Sequence, residues 1–140
     1  MIRSRSTSAT VRPISAARDA ARPAGLLEAA AQVTVERRPV LVIAYDLPYP
    51  APLSALWRVS HPFAVALLLV EPAHAGSPRI GVEIRSGASS LDWPVTIPRG
   101  VDNNPAAAAL PLLALLARAV PGDVMLPYLE GCGVAVELRG

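Results

Sequence analysis

The first 25 residues alternate Arg, Ser, Ala and Pro with no sustained apolar period, and Pro13 and Pro23 interrupt any helix there. Gly25–Gln32 has helical propensity over about two turns only. Val33 and Val35 then alternate with Thr34 and Glu36, which predicts the start of a β-rich section. Val40–Ala44 continues it, with Pro39 confining the strand to an edge or breaking it. Asp46–Pro52 carries three Pro and reads as a stiff loop. Leu53–Val59 and Phe63–Val70 follow as strands, the second apolar on both faces as in a central, doubly covered strand. Ile80, Val82 and Ile84 alternate with Gly81, Glu83 and Arg85, and Leu91–Ile97 reads as another strand weakened by Pro94.

Asn103, Asn104 and Pro105 form a helix start, because Asn caps an orphan amide and Pro is preshaped for the first turn. The helix is expected from Pro105 to about Ala119, with Pro111 moving its effective beginning to near Leu110. Two strands, Val124–Leu126 and Val134–Leu138, close the pattern. About seven strands with one main helix predict an α+β fold, a predominantly antiparallel twisted sheet or open barrel. Residues 1–30 are expected to be a disordered arm and residues 31–140 a single α+β domain.

Composition narrows the class. With 140 residues, 52% hydrophobic and 17% charged, the chain can bury a core and is not generically disordered. All 13 basic residues are Arg. Five of them fall in residues 1–30 against Asp19 and Glu28, a net +3, whereas residues 31–140 carry eight against nine acids, a net −1. The N-terminal stretch, with Arg3, Arg5 and Arg12, is thus open to three readings: a solvated arm, a targeting segment, or an arm for nucleic acid or acidic lipid. No apolar stretch reaches the ~20 residues of a membrane span, and one Cys without an export signal leads to a cytoplasmic expectation.

Little in the chain reads as catalytic chemistry. His61 and His74 are the two histidines and Cys132 the one cysteine, too few for a closed zinc site without two carboxylates. Ser60 and His61 are neighbours, which turns their side chains apart in an extended chain. Nucleophile elbow, phosphate loop and H-E-x-x-H are all missing. No cofactor or metal is expected, and Trp57 and Trp93 read as core. The Ala106–Ala117 segment is apolar all round and must be covered on more than one side, which makes Leu110, Leu113 and Leu116 candidates for an oligomer interface.

From Val33 onward the order of features resembles the SsgA-like family of actinobacterial sporulation and cell-division proteins. Pro62-Phe63-Ala64-Val65 is similar to the family's D-P-Y-A-V, Trp93 to its tryptophan, and Gly122-Asp123-Val124 with Val134–Leu138 to its G-D-V and following strands. The resemblance implies a divergent or truncated member with a whirly-like fold. It would be a non-catalytic, oligomeric protein-interaction module that regulates septum formation through partners of the division machinery. The alternative expectation is a nucleic-acid-binding domain using the Arg3, Arg5 and Arg12 arm.

Overall fold

A computed structural model describes residues 21–72, 79–87, 97 and 99–140. Helix α1 spans Ala21–Glu36. Pro23 sits in its first turn, where a missing amide costs no hydrogen bond. Leu26, Ala29 and Val33 are buried, and their i, i+3, i+7 spacing places them on one face. This corrects the strand expected at Val33–Glu36. The alternation of Val33 and Val35 is incidental, for Val33 completes the buried stripe while Val35 is 79% exposed. A hydrogen bond from Gln32 to Glu28 supports the helix one turn apart. The helix ends at Arg37, which has φ 51° and whose amide donates to the Val33 carbonyl. Position 30, the expected end of the arm, lies inside α1.

Strands β1, Val40–Asp46, and β2, Phe63–Leu69, form an antiparallel pair in the register Val40↔Leu69 to Asp46↔Phe63. Burial alternates along both, as a pleat with one covered face requires. Among the described residues this sheet has two strands, and alternate positions of β2 are exposed, which does not fit the doubly covered central strand that its composition suggested. Between them, Leu53–Leu56 forms a one-turn helix, α2, where a strand was expected. Pro52, at φ −85° and ψ −7°, already has helical geometry and starts the turn. The Trp57 amide closes it on the Leu53 carbonyl, and the Trp57 ring packs at 57° against that of Tyr49.

The second sheet contains β3, Arg79–Ser86; β4, Gly122–Leu129; and β5, Cys132–Arg139, in the antiparallel order β3-β5-β4. Strand β5 occupies the middle. Its Val134, Val136 and Leu138 face the core, as their alternation predicts, and Ala135 on the opposite face is buried too. Gly131, at φ 76°, turns the chain from β4 into β5.

The predicted helix start at Asn104 is present, but its first stretch, Pro105–Ala109, is a 3-10 helix. Regular helix α3 then runs Leu110–Arg118 with Pro111 in its first turn, matching the expected effective beginning near Leu110. Ala119 enters the left-handed region and ends it. Leu112 of α3 joins Leu26, Leu126, Val134 and Val136 in one core cluster, against which Leu67, Leu69 and Leu116 pack.

The fold is therefore α+β with antiparallel sheets and few helices, as expected. The described residues hold five strands in two small sheets and no closed barrel. The expected strand Leu91–Ile97 lies outside them except for Ile97, as do Trp93, His74, Arg3, Arg5 and Arg12. Among the described residues, no helix is long and apolar enough to cross a membrane.

Candidate functional site

The two sheets, α1 and the Pro105–Arg118 segment line a half-open cavity of about 480 Å³, within the range of small-molecule sites. Each wall follows from local periodicity. The inward positions of the hairpin supply Val42 and Ala44 from β1 and Val65 and Leu67 from β2. Helix α1 adds Leu26, α3 adds Leu112 and β4 adds Leu126. Polar groups are confined to Arg58 and the run Asp102, Asn103 and Asn104. Among the described residues neither Arg58 nor Asp102 forms an ion pair.

Asn104 organises this polar side. It is 1% exposed, and a side-chain amide buried that deeply must satisfy its hydrogen bonds within the protein. Its Nδ2 donates to the Asp46 carbonyl at 3.1 Å and to the His61 carbonyl at 2.8 Å. Its Oδ1 accepts from the Ala106 amide at 2.8 Å. One residue thus ties the end of β1 and the loop before β2 to the helix that it caps. Asn103 repeats the connection outside: its Oδ1 accepts from the Ser60 amide and its Nδ2 donates to Ser60 Oγ at 2.7 Å. The His61 ring lies against Gly100, where an added Cβ would come within 2.9 Å of it.

The cap was evident in the sequence; its two long-range donors were not. His61 and Cys132 do not line the cavity. Cys132 opens β5 opposite Ser86 and Leu129. Among the described residues no three His, Cys, Asp or Glu cluster to hold a metal. The proposed interface leucines Leu110, Leu113 and Leu116 are half-buried, and Leu116 packs on the core. Arg58, Asp102 and the cavity itself were missed in the sequence. Their one available signal was that β1 and β2 are apolar at inward as well as outward positions.

Charge is elsewhere paired at the surface. The Arg139 guanidinium donates to Glu137 at 2.6 Å. This hydrogen bond, with the positive charge behind it, holds the Glu137 carboxyl below the usual glutamate range and raises the Arg139 pKa. Arg85 pairs with Glu83, and Arg38 with Glu36.

Comparison with known proteins identifies the chain by another route. Residues 2–110 match the family described as Beta-ketoacyl synthase, N-terminal domain. No curated protein matches, and no solved structure does. The match takes in α1, β1, α2, β2, β3 and the 3-10 helix, and so most of the cavity wall. It overturns the SsgA-like resemblance, which rested on tetrapeptides such as Pro62–Val65. In this fold that tetrapeptide is simply the start of an apolar hairpin strand. With the resemblance fall the cell-division and septation role, the nucleic-acid alternative and the expectation of a non-enzymatic chain. Its matched residues make up more than three-quarters of the sequence, and the chain belongs to the β-ketoacyl synthase N-terminal domain family.

Proposed function

We propose that this chain serves the assembly of fatty-acid or polyketide chains, and that its cavity holds the apolar acyl chain of the substrate. Forming a β-ketoacyl group joins the carbonyl carbon of one acyl group, which releases its thiol leaving group, to the carbon next to the carbonyl of another, which gives up carbon dioxide or a proton. An enzyme of this kind needs a site that desolvates a hydrocarbon tail while leaving the reacting end near polar groups. The observation that carries the reading is the cavity of about 480 Å³, with mainly aliphatic walls and polar lining residues limited to Arg58, Asp102, Asn103 and Asn104. Membership of the family supplies the chemical class.

In this reading Val42, Ala44, Val65, Leu67, Leu112 and Leu126 exclude water from the tail, and Arg58, Asp102 and Asn103 meet its polar end. Asn104 keeps those walls together. Cys132 and His61 lie off the cavity lining, so the reading assigns chain binding and gives no residue the bond-forming step.

Displacement of a fluorescent fatty acid by saturated acyl chains of graded length tests it. Each methylene buried contributes ~0.8 kcal/mol, roughly a fourfold gain in affinity, until the cavity is full. The expected result is saturable one-to-one binding that rises with length and then levels off. Absence of saturable binding at every length defeats the reading.

A further inference from the structure

We infer that the molecule held in the cavity is a hydroxylated fatty acid, its carboxylate on Arg58 and its hydroxyl on Asp102, an inference that rests on the acyl-chain reading above. Aliphatic walls cannot tell one polar end from another, so selection falls to Arg58, Asp102, Asn103 and Asn104. Two of these are already occupied. The Asn104 amide serves the Asp46 and His61 carbonyls and the Ala106 amide. The Asn103 amide serves the Ser60 amide and hydroxyl. Among the described residues, the Arg58 guanidinium and the Asp102 carboxylate have neither an ion pair nor a side-chain hydrogen bond. Both are exposed, which puts them on the open side of the cavity.

The two charges are carried on anchored backbone. Arg58 stands between Trp57, whose amide closes α2 on the Leu53 carbonyl, and Val59, which is buried. Asp102 immediately precedes Asn103, and the Ser60–Asn103 and His61–Asn104 hydrogen bonds join the two segments. Arg58 and Asp102 therefore line one cavity from segments that are tied together, yet they do not pair with each other. They leave a donor fork and an acceptor turned to whatever enters.

Few polar ends satisfy both. A plain fatty acid meets Arg58 but sets its own charge against Asp102, and an ester leaves the guanidinium without an anion. In a hydroxy acid the carboxylate accepts from the Arg58 fork, a geometry that guanidinium matches with two parallel bonds. Its hydroxyl donates to Asp102. A keto group in place of that hydroxyl has no proton to give and turns lone pairs toward the carboxylate. A site built around a hydroxyl rejects the analogue that lacks it.

Displacement of a fluorescent fatty acid by three ligands of one chain length tests the inference: β-hydroxydodecanoate, dodecanoate and methyl β-hydroxydodecanoate. The hydroxy acid should bind about tenfold more tightly than either of the others. Arg58→Gln should bring it down to the level of its ester and leave the ester unchanged. Asp102→Ala should erase its advantage over dodecanoate, partly by tightening dodecanoate. Far-UV circular dichroism follows folding, and the wild-type comparison decides the question where a variant does not fold. Equal binding of the three ligands by the wild type overturns the inference and leaves the acyl-chain reading standing. A preference for the acid that survives Arg58→Gln, or for the hydroxyl that survives Asp102→Ala, overturns it as well. Absence of saturable binding of all three defeats the acyl-chain reading and this inference together.

Discussion

The side chain of Asn104 donates a 3.1 Å hydrogen bond to the carbonyl of Asp46, 58 positions earlier in the chain. The same amide group reaches His61, while its oxygen caps the helix ahead. Replacing Asn104 therefore removes two different things. Asn104→Asp keeps an equally good cap but loses both donors, leaving two carbonyls short of a partner and a carboxylate in a buried place. Both Asn104→Ala and Asn104→Asp should cost about 2–4 kcal/mol in urea unfolding. An Asp variant close to wild-type stability would show that the cap alone matters.

Ala44 points inward from β1 and leaves room where a larger side chain would stand. Ala44→Leu is expected to fill part of the cavity with little change in melting temperature. Acyl-chain affinity should fall on the order of fiftyfold, as the volume of about three methylenes is lost to the ligand. Calorimetric titration with a single long-chain fatty acid, beside thermal unfolding, measures both.

Two nearby glycines should respond differently to substitution. A Cβ at Gly133 would stand 2.9 Å from the Leu126 carbonyl oxygen and 2.7 Å from Met125 Sδ. The thioether can swing aside; the backbone cannot. Gly133→Ala should cost about 1–3 kcal/mol through displacement of β4 from β5. Gly131 has open space around it but a φ of 76°, so Gly131→Ala carries only the backbone penalty, about 1–2 kcal/mol, and Gly131→Asn carries less. Chemical denaturation of the three variants gives the order directly.

The Glu137–Arg139 pair sets an acid-side dependence. Because the folded Glu137 pKa is depressed by Arg139, its contribution is present above the unfolded carboxylate pKa and is lost as pH falls through the folded value. Carbon-detected NMR titration should place the Glu137 carboxyl below the ordinary glutamate range. Arg139→Gln should return it to that range, and any stability difference between this variant and the wild type should vanish in acid. The solvent contact of both side chains keeps the effect small.

Strands with clean alternation or dense aliphatic content were readable from the sequence: β1, β2, β3 and β5 all lie where the pattern places them, and the cap at Asn104 and the change of helix near Leu110 do too. The errors share a cause. Val33–Glu36 and Leu53–Val59 contain β-formers in short windows, where local pattern is weak and tertiary context decides. For Val33 the deciding partners were Leu26 and Ala29, on the same helical face. For Leu53 it was Pro52, whose fixed geometry begins a turn. The cavity was hidden for a different reason, since a side chain that lines a void and one that fills a core have the same alternation. Only the distance between walls, set by Asn104 and α1, separates the two. The family could not emerge from four-residue motifs, because those motifs encode strand pairing that many folds share.

Strand β5 lies between β3 and β4, yet it is the last of the three to be synthesised. Once a ribosome has made residue 129 and before it reaches residue 132, β3 and β4 are complete but have no neighbour to pair with among the described residues. The nascent chain therefore carries two open edges until Cys132–Arg139 emerges between them. A premature stop in that interval would release a polypeptide with both edges bare, a natural target for chaperones and proteases.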